Sequence, residues 1–267
     1  MPEPITLLPT DISVDRRDAA IAVVTIGRPK RRNAMTLAMW RELARVFAEL
    51  GADNGVRAIV LTGSGGAFSA GADILEFPAV RATVADGRAY EEAGDHCQTA
   101  IASSPKPTIA AITGPCYGGG VGLALACDFR VADASAYFAI PAARLSNVYG
   151  VVETRALFDA VGVAAAKEVL FTGRRYDANE AYEIGLATHF TTGDALAAAR
   201  ALAASMSTSA PLTIKGTKVI LEAIARAETA ERVGAIHAVK DEAMASADYK
   251  EGVAAFAAKR DPVFRGV

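Results

Sequence analysis

An α/β fold ending in an all-helical portion is what this 267-residue sequence predicts. Three observations lead there. Short β-branched runs alternate with helix-periodic stretches in the first half, glycine-rich loops follow the strands, and the pattern turns mainly helical from about Ala142. The strand-strand-helix rhythm suggests layers that coil, although no fixed period defines a solenoid. No low-complexity linker cuts the chain. The best boundary is near Thr192, dividing a core over 1–191 from a helical region over 192–267.

In chain order, Ile21–Ile26 reads as a strand ended by Gly27 and Pro29. Leu37–Leu50 has apolar residues at helical spacing, with Gly51 suited to its C-terminal cap. Val56–Thr62 is a second strand and runs into the loop Gly63–Gly71. An Ala-rich helix covers about Thr83–Ser103, after which Pro105 and Pro107 lead into the strand Thr108–Thr113. Gly118-Gly119-Gly120 opens a helix, Val121–Cys127. Short strands follow at Asp128–Ala132 and Ala136–Ile140. Helices are expected at Val152–Ala160, Ala164–Leu170, Ala178–Gly185 and Ala195–Ser205, then as long segments from Pro211 to Lys259.

Apolar residues make up 52% of the chain, and 28 basic side chains nearly balance 30 acidic ones. That balance offers no electrostatic hold on nucleic acid or on an anionic membrane. Thr108–Cys127 is uncharged over the length of a membrane span, but Gly114-Pro115 and the triple glycine break it into strand, turn and helix. Cys97, Cys116 and Cys127 lack metal-ligand spacing, so no metal site is expected, and a reduced, cytoplasmic setting suits them. Met1–Asp15 carries acidic residues and no apolar run, unlike a signal peptide.

Two loops carry the chemistry: Gly63-Ser-Gly-Gly-Ala-Phe-Ser-Ala-Gly-Ala-Asp73 and Gly114-Pro-Cys-Tyr-Gly-Gly-Gly-Val-Gly122. Each follows a strand. Alone, either could be a tight turn between layers. Neither is a phosphate loop, because no Gly-Lys-Ser/Thr follows.

Read together with Pro29-Lys-Arg-Arg-Asn-Ala34, Lys106–Pro115, Leu123–Asp128, Leu170-Phe-Thr-Gly173 and Asp248–Phe256, these loops resemble the crotonase (enoyl-CoA hydratase/isomerase) superfamily. The resemblance runs from about Ile21 to Pro262. It implies a spiral of repeated ββα units with a helical C-terminal region that forms trimers or dimers of trimers. It also implies an acyl-CoA thioester as substrate, with coenzyme A entering as part of that substrate and no permanently bound cofactor. The backbone N–H groups of Ala72 and Gly119 would form an oxyanion hole for a thioester enolate. Lys30, Arg31, Arg32, Ala34, Ala70, Asp73 and Ile74 would meet the coenzyme, with Phe256 and Lys259 added from the C-terminal helix, often across a subunit boundary.

Family hydratases use two glutamates, and the matching positions here are Gly122 and Ala142. Ordinary water addition therefore lacks its base and its acid. Tyr149, Glu153 and Asp95 are the replacement candidates. Glu153 could equally be a first-turn carboxylate facing a helix dipole, and Asp95, with His96 beside it, a solvated helix position. Asp73 suits a structural or coenzyme-positioning role, and His189 and His237 suit surface or packing positions. Three readings follow: an isomerase or a decarboxylase using those side chains, or a non-catalytic acyl-CoA binding or shuttling protein. A serine peptidase is disfavoured, since no Gly-x-Ser-x-Gly elbow occurs.

Overall fold

The structure, a computed structural model, describes residues 3–7, 10–18 and 20–267. The stretch Met1–Asp15, unlike a signal peptide by its sequence, lies partly outside them. The first strands are β1 (Glu3–Leu7), β2 (Ile12–Arg16) and β3 (Ile21–Ile26), followed by α1 (Leu37–Ala52) and β4 (Ala58–Gly63). Then come α2 (Phe77–Val80), α3 (Val84–Ala102), β5 (Thr108–Ile112), β6 (Pro115–Tyr117) and α4 (Gly119–Ala126). The middle of the chain forms β7 (Phe129–Asp133), β8 (Tyr137–Ala139), α5 (Val151–Thr172), β9 (Tyr176–Asp177), α6 (Ala178–Ile184) and β10 (His189–Thr191). Four helices close the chain: α7 (Ala195–Ser207), α8 (Pro211–Ala225), α9 (Val233–Ala245) and α10 (Ala247–Ala257).

A seven-stranded sheet has the order β1-β2-β3-β4-β5-β7-β10, parallel from β3 onward, and β6-β8-β9 form a second sheet. The parallel strands are covered on both faces, which is why β4 reads as a continuous apolar run. Val24, Ile59 and Leu61 turn toward α1, where Leu43 and Phe47 are almost wholly buried. Burying each such side chain is worth roughly 1.5–3 kcal/mol. Val23, Val60 and Ile109 face the other way, onto Ala195, Ala199 and Ala203 of α7. The small alanines of α7 let that helix lie close against the sheet.

The differences from the sequence reading have local causes. Gly51 is inside α1 rather than at its cap, and Asp53 takes the cap. A Cβ at Gly51 would sit 3.1 Å from the Pro105 ring, so this glycine serves close packing. The two helices expected over 152–170 are halves of α5, bent at Gly162, whose φ is 74°. Helix α4 begins two residues earlier than expected, at Gly119 itself. The charge-free stretch 108–127 divides into β5, β6 and α4, and no helix of the described residues is long and apolar enough to cross a membrane. Strands β1, β2, β6, β9 and β10 carry no signal strong enough to read. Several of these have three residues or fewer, too short for a period of two to show.

Candidate active site

The site is built where the two glycine-rich loops touch. Met35 pairs with Ala72, and Ser69 pairs with Cys116, as single parallel bridges. Asn33 ties the preceding loop down: fully buried, with φ of 57°, it donates through Nδ2 to the carbonyls of Ser64 (2.9 Å) and Ala67 (2.7 Å). Asparagine tolerates that left-handed geometry better than most residues. Gly71 has φ of 81°, and a Cβ there would lie 2.5 Å from the Tyr117 carbonyl and 2.8 Å from the Gly119 nitrogen. Only glycine lets the loops approach so closely.

This approach brings the Ala72 and Gly119 amides together. A Cβ built on Gly119 would be 3.7 Å from the Ala72 nitrogen. Neighbouring amides are spent on the loops: Ala70 N donates to the Arg32 carbonyl, Asp73 N to Met35 and Gly118 N to Ala139. Neither Ala72 N nor Gly119 N donates to an acceptor among the described residues. Gly119 is also the first residue of α4, where orphan N–H groups and the helix dipole favour negative charge.

Both amides open onto a cavity of about 650 Å³. Arg31, Ala34, Ala70, Asp73 and Ile74 line one part of it. Trp40, Phe77 and Tyr90 form an aromatic wall, with the Trp40 indole N–H donating to Tyr90 Oη at 3.0 Å. Burial pushes the Tyr90 phenol up to about 12, so it remains neutral. Asp95, Tyr149, Gly150 and Glu153 line the cavity as well.

The two acidic candidates flank one point of the backbone. A Cβ on Gly150 would lie 3.8 Å from an oxygen of Asp95 and 3.8 Å from Glu153 Oε2. Glu153 Oε2 accepts from Gly150 N–H at 3.2 Å, so it is at once a first-turn cap of α5 and a cavity carboxylate. The first-turn reading of Glu153 is thus met, at a position that also faces the cavity. Burial raises the proton affinity of Glu153, the charge of Asp95 adds to this, and the hydrogen bond from Gly150 opposes it. No cation among the described residues pairs with Glu153. Asp95 is raised by burial and then by the charge of Glu91. Burial, then the charge of Glu153, holds the Tyr149 phenol far above its usual range, so it can serve only as a neutral donor or acceptor. Its hydroxyl is 3.5 Å from where a Gly118 Cβ would be, next to the start of α4.

Other expected positions fall elsewhere. Asp73 is buried and ion-paired with Arg28 at 3.0 Å, holding the loop beside Ala72. Lys30 and Arg32 are exposed beside Arg31 but do not line the cavity. Phe256 lines a separate groove among the C-terminal helices, and Lys259 follows α10 in the left-handed region. One chain alone therefore does not bring these two to the site. His96, His189 and His237 are exposed. Sequence reasoning missed Trp40, Tyr90 and Gln98. Gln98 shares a helix face with Tyr90, Cys97 and Ile101, and a polar residue on that apolar stripe was the available signal.

The sheet order, the apposed loops and the paired free amides define a fold that presents two backbone donors to a cavity at a helix N-terminus. The family profile for enoyl-CoA hydratase/isomerase matches residues 16–267. The chain is 35% identical over 255 residues to the human mitochondrial enoyl-CoA hydratase domain-containing protein 2, covering 93% of this chain and 87% of that one. A solved enoyl-CoA hydratase/isomerase family protein from Hyphomonas neptunium superposes with a TM-score of 0.91 at 36% identity, over 97% of this chain and 99% of the other. An enoyl-CoA hydratase/carnithine racemase from Magnetospirillum magneticum gives 0.90 at 37%, over 98% and 97%. The chain belongs to the enoyl-CoA hydratase/isomerase family and has the crotonase fold.

Proposed function

We propose that this protein catalyses isomerase-type proton transfer along the acyl chain of a coenzyme A thioester. The thioester oxygen accepts from Ala72 and Gly119 N–H, and Glu153 carries the proton. The observation that supports this most is the pairing of two unspent amides with a cation-free, half-buried carboxylate in one cavity. Enolate formation moves charge onto the thioester oxygen, where each preorganised donor is typically worth ~3–4 kcal/mol. Glu153 starts as the carboxylate, takes a proton from one carbon and delivers one to another, the carboxyl proton exchanging with solvent in between. Its raised proton affinity makes it a stronger base than an ordinary carboxylate.

A decarboxylase fits less well. A substrate carboxylate would meet Glu91, Asp95 and Glu153, and Arg81, which lines the cavity with them, is already paired with Glu91 at 2.8 Å. Hydration also lacks its usual parts: Ala142 lines the cavity without a titratable group, and the space above Gly122 is filled by Gln98. Crotonyl-CoA hydration, followed by the loss of enoyl absorbance, should therefore run far below the ~10 s⁻¹ typical of enzymes. Hydration at an ordinary enzymatic rate would remove this reading of Gly122 and Ala142.

For the coenzyme, Arg31, Ala34, Ala70, Asp73 and Ile74 offer the path, and exposed Lys30 and Arg32 offer charge for phosphates. Phe256 and Lys259 would reach a site only in an assembly, and the region 192–267 supplies the surface for one. Leu221, Ile224, Met244, Val253 and Phe256 are all more than half exposed, Phe256 at 88%. A homotrimer or dimer of trimers would cover them. Light scattering should give three or six chains at micromolar concentration; a monomer would remove the cross-subunit role of Phe256 and Lys259.

A further inference from the structure

Gln98 lies on α3 with its side chain driven into the protein, 2% exposed. Its amide is wedged against α4: a Cβ on Gly122 would be 2.9 Å from Gln98 Oε1 and 3.1 Å from Nε2. Any side chain at 122 would displace it, so the glycine and the glutamine form a complementary pair. On its other side the amide reaches Glu153, with Nε2 donating to Oε1 at 3.4 Å. Gln98 Oε1 is buried with no hydrogen-bond partner. A buried acceptor left empty is costly unless something fills it in another state of the site.

We propose that Gln98 is a positioning residue for Glu153, whose amide serves both protonation states of the carboxyl group. With Glu153 ionised, Nε2 donates to the carboxylate. With Glu153 carrying a substrate proton, rotation of the amide presents the unpartnered Oε1 to accept the new O–H. The proton sits on a Glu153 oxygen, where it exchanges with solvent in the open cavity, until a proton passes back to substrate carbon, and no other bond changes. The groups facing Glu153 are few. Asp95 and Glu91 approach from α3, with Arg81 spent on Glu91, and Tyr149 comes from the turn before α5. Cys116 of β6 acts on Tyr149, and α4 offers no titratable side chain. Gln98 is thus the one neutral donor-acceptor among the described residues that hydrogen-bonds Glu153 by its side chain. The inference rests on the reading of Glu153 as the proton carrier.

The test is the pH profile of turnover with an enoyl-CoA that the wild type isomerises. Gln98→Leu keeps the volume and removes the amide. It should lower kcat roughly 10–100-fold with KM nearly unchanged, and should move the acidic limb upward by roughly one pH unit, because the donor lost from the charged carboxylate is worth more than the acceptor lost from the neutral acid. Gln98→Glu supplies the same donor and acceptor only while protonated, so its turnover should fall at high pH where that of the wild type persists. If neither variant moves the limb, whatever happens to kcat, Gln98 is merely a packing residue and the proposal fails. Should Gln98→Leu not fold, carbon-13 titration of Glu153 in Gln98→Glu and Gln98→Met answers the same question: an unmoved Glu153 titration overturns the proposal. A fully active Glu153→Gln protein would instead overturn the underlying reading of Glu153, which keeps the two failures distinct.

Discussion

Gly119→Ala should lower turnover ~10²–10³-fold, as much as the loss of one oxyanion donor, because the methyl group obstructs the oxygen's approach although the Gly119 N–H itself remains. The added methyl group would lie 3.7 Å from Ala72 N, in the volume that the proposed thioester oxygen would occupy. It would also meet the Trp40 ring at 3.1 and 3.2 Å, so the indole has to give by a few tenths of an ångström. A branched replacement such as Gly119→Val presses the same ring harder and is a poorer probe. Circular dichroism separates the two effects, since a blocked oxyanion hole leaves the fold intact. Calorimetry with an acyl-CoA should show weakened binding in parallel with the lost turnover. Unchanged turnover in folded Gly119→Ala would mean that the reacting carbonyl is elsewhere.

Glu153→Gln should cost ~10²–10⁴ in kcat while acyl-CoA binding persists, because the amide keeps the shape and loses the proton site. The pH dependence has a definite sign. Burial, reinforced by Asp95, raises the Glu153 carboxyl above its ordinary value. Turnover that needs the ionised form therefore rises with pH through that raised value. Stability moves the opposite way. The folded state holds the proton more tightly than the unfolded chain, so this group's contribution is present below the unfolded carboxylate range and is lost as pH rises through the folded value. Glu153→Gln should accordingly be the more thermally stable protein at neutral pH. A variant that loses activity yet gains stability is the mark of a group held in place for chemistry.

Much of the fold was legible because its signals are local. β4 and β5 are continuous apolar runs between glycines and prolines, and α1 repeats its buried face through Met39, Leu43, Val46 and Phe47. The loops 63–73 and 114–122 were legible because backbone geometry requires glycine at fixed points. Gly71 and Gly118, both with positive φ, bear that out. Less could be read of the acid-base groups. Glu153 is an ordinary helix-capping carboxylate by local pattern, and only the packing of α3 against α5 brings Asp95 and Gln98 to it. Gln98 and Gly122 are far apart in sequence, and the meaning of each depends on the other. The roles proposed for Phe256 and Lys259 depend on an assembly, because one chain does not bring them to the cavity.

Proton exchange with solvent is the decisive measurement for the proposed enolate chemistry. The protein is incubated in D₂O with a panel of saturated and unsaturated acyl-CoAs, and the recovered thioesters are weighed by mass spectrometry. If an enolate forms at Ala72 and Gly119 and Glu153 carries its proton, at least one acyl chain gains deuterium next to the thioester. Incorporation should fall steeply in Glu153→Gln and in Gly119→Ala while both still bind the thioester. Deuterium absent from every member of a panel that the protein binds, or incorporated equally well by Glu153→Gln, would contradict that chemistry.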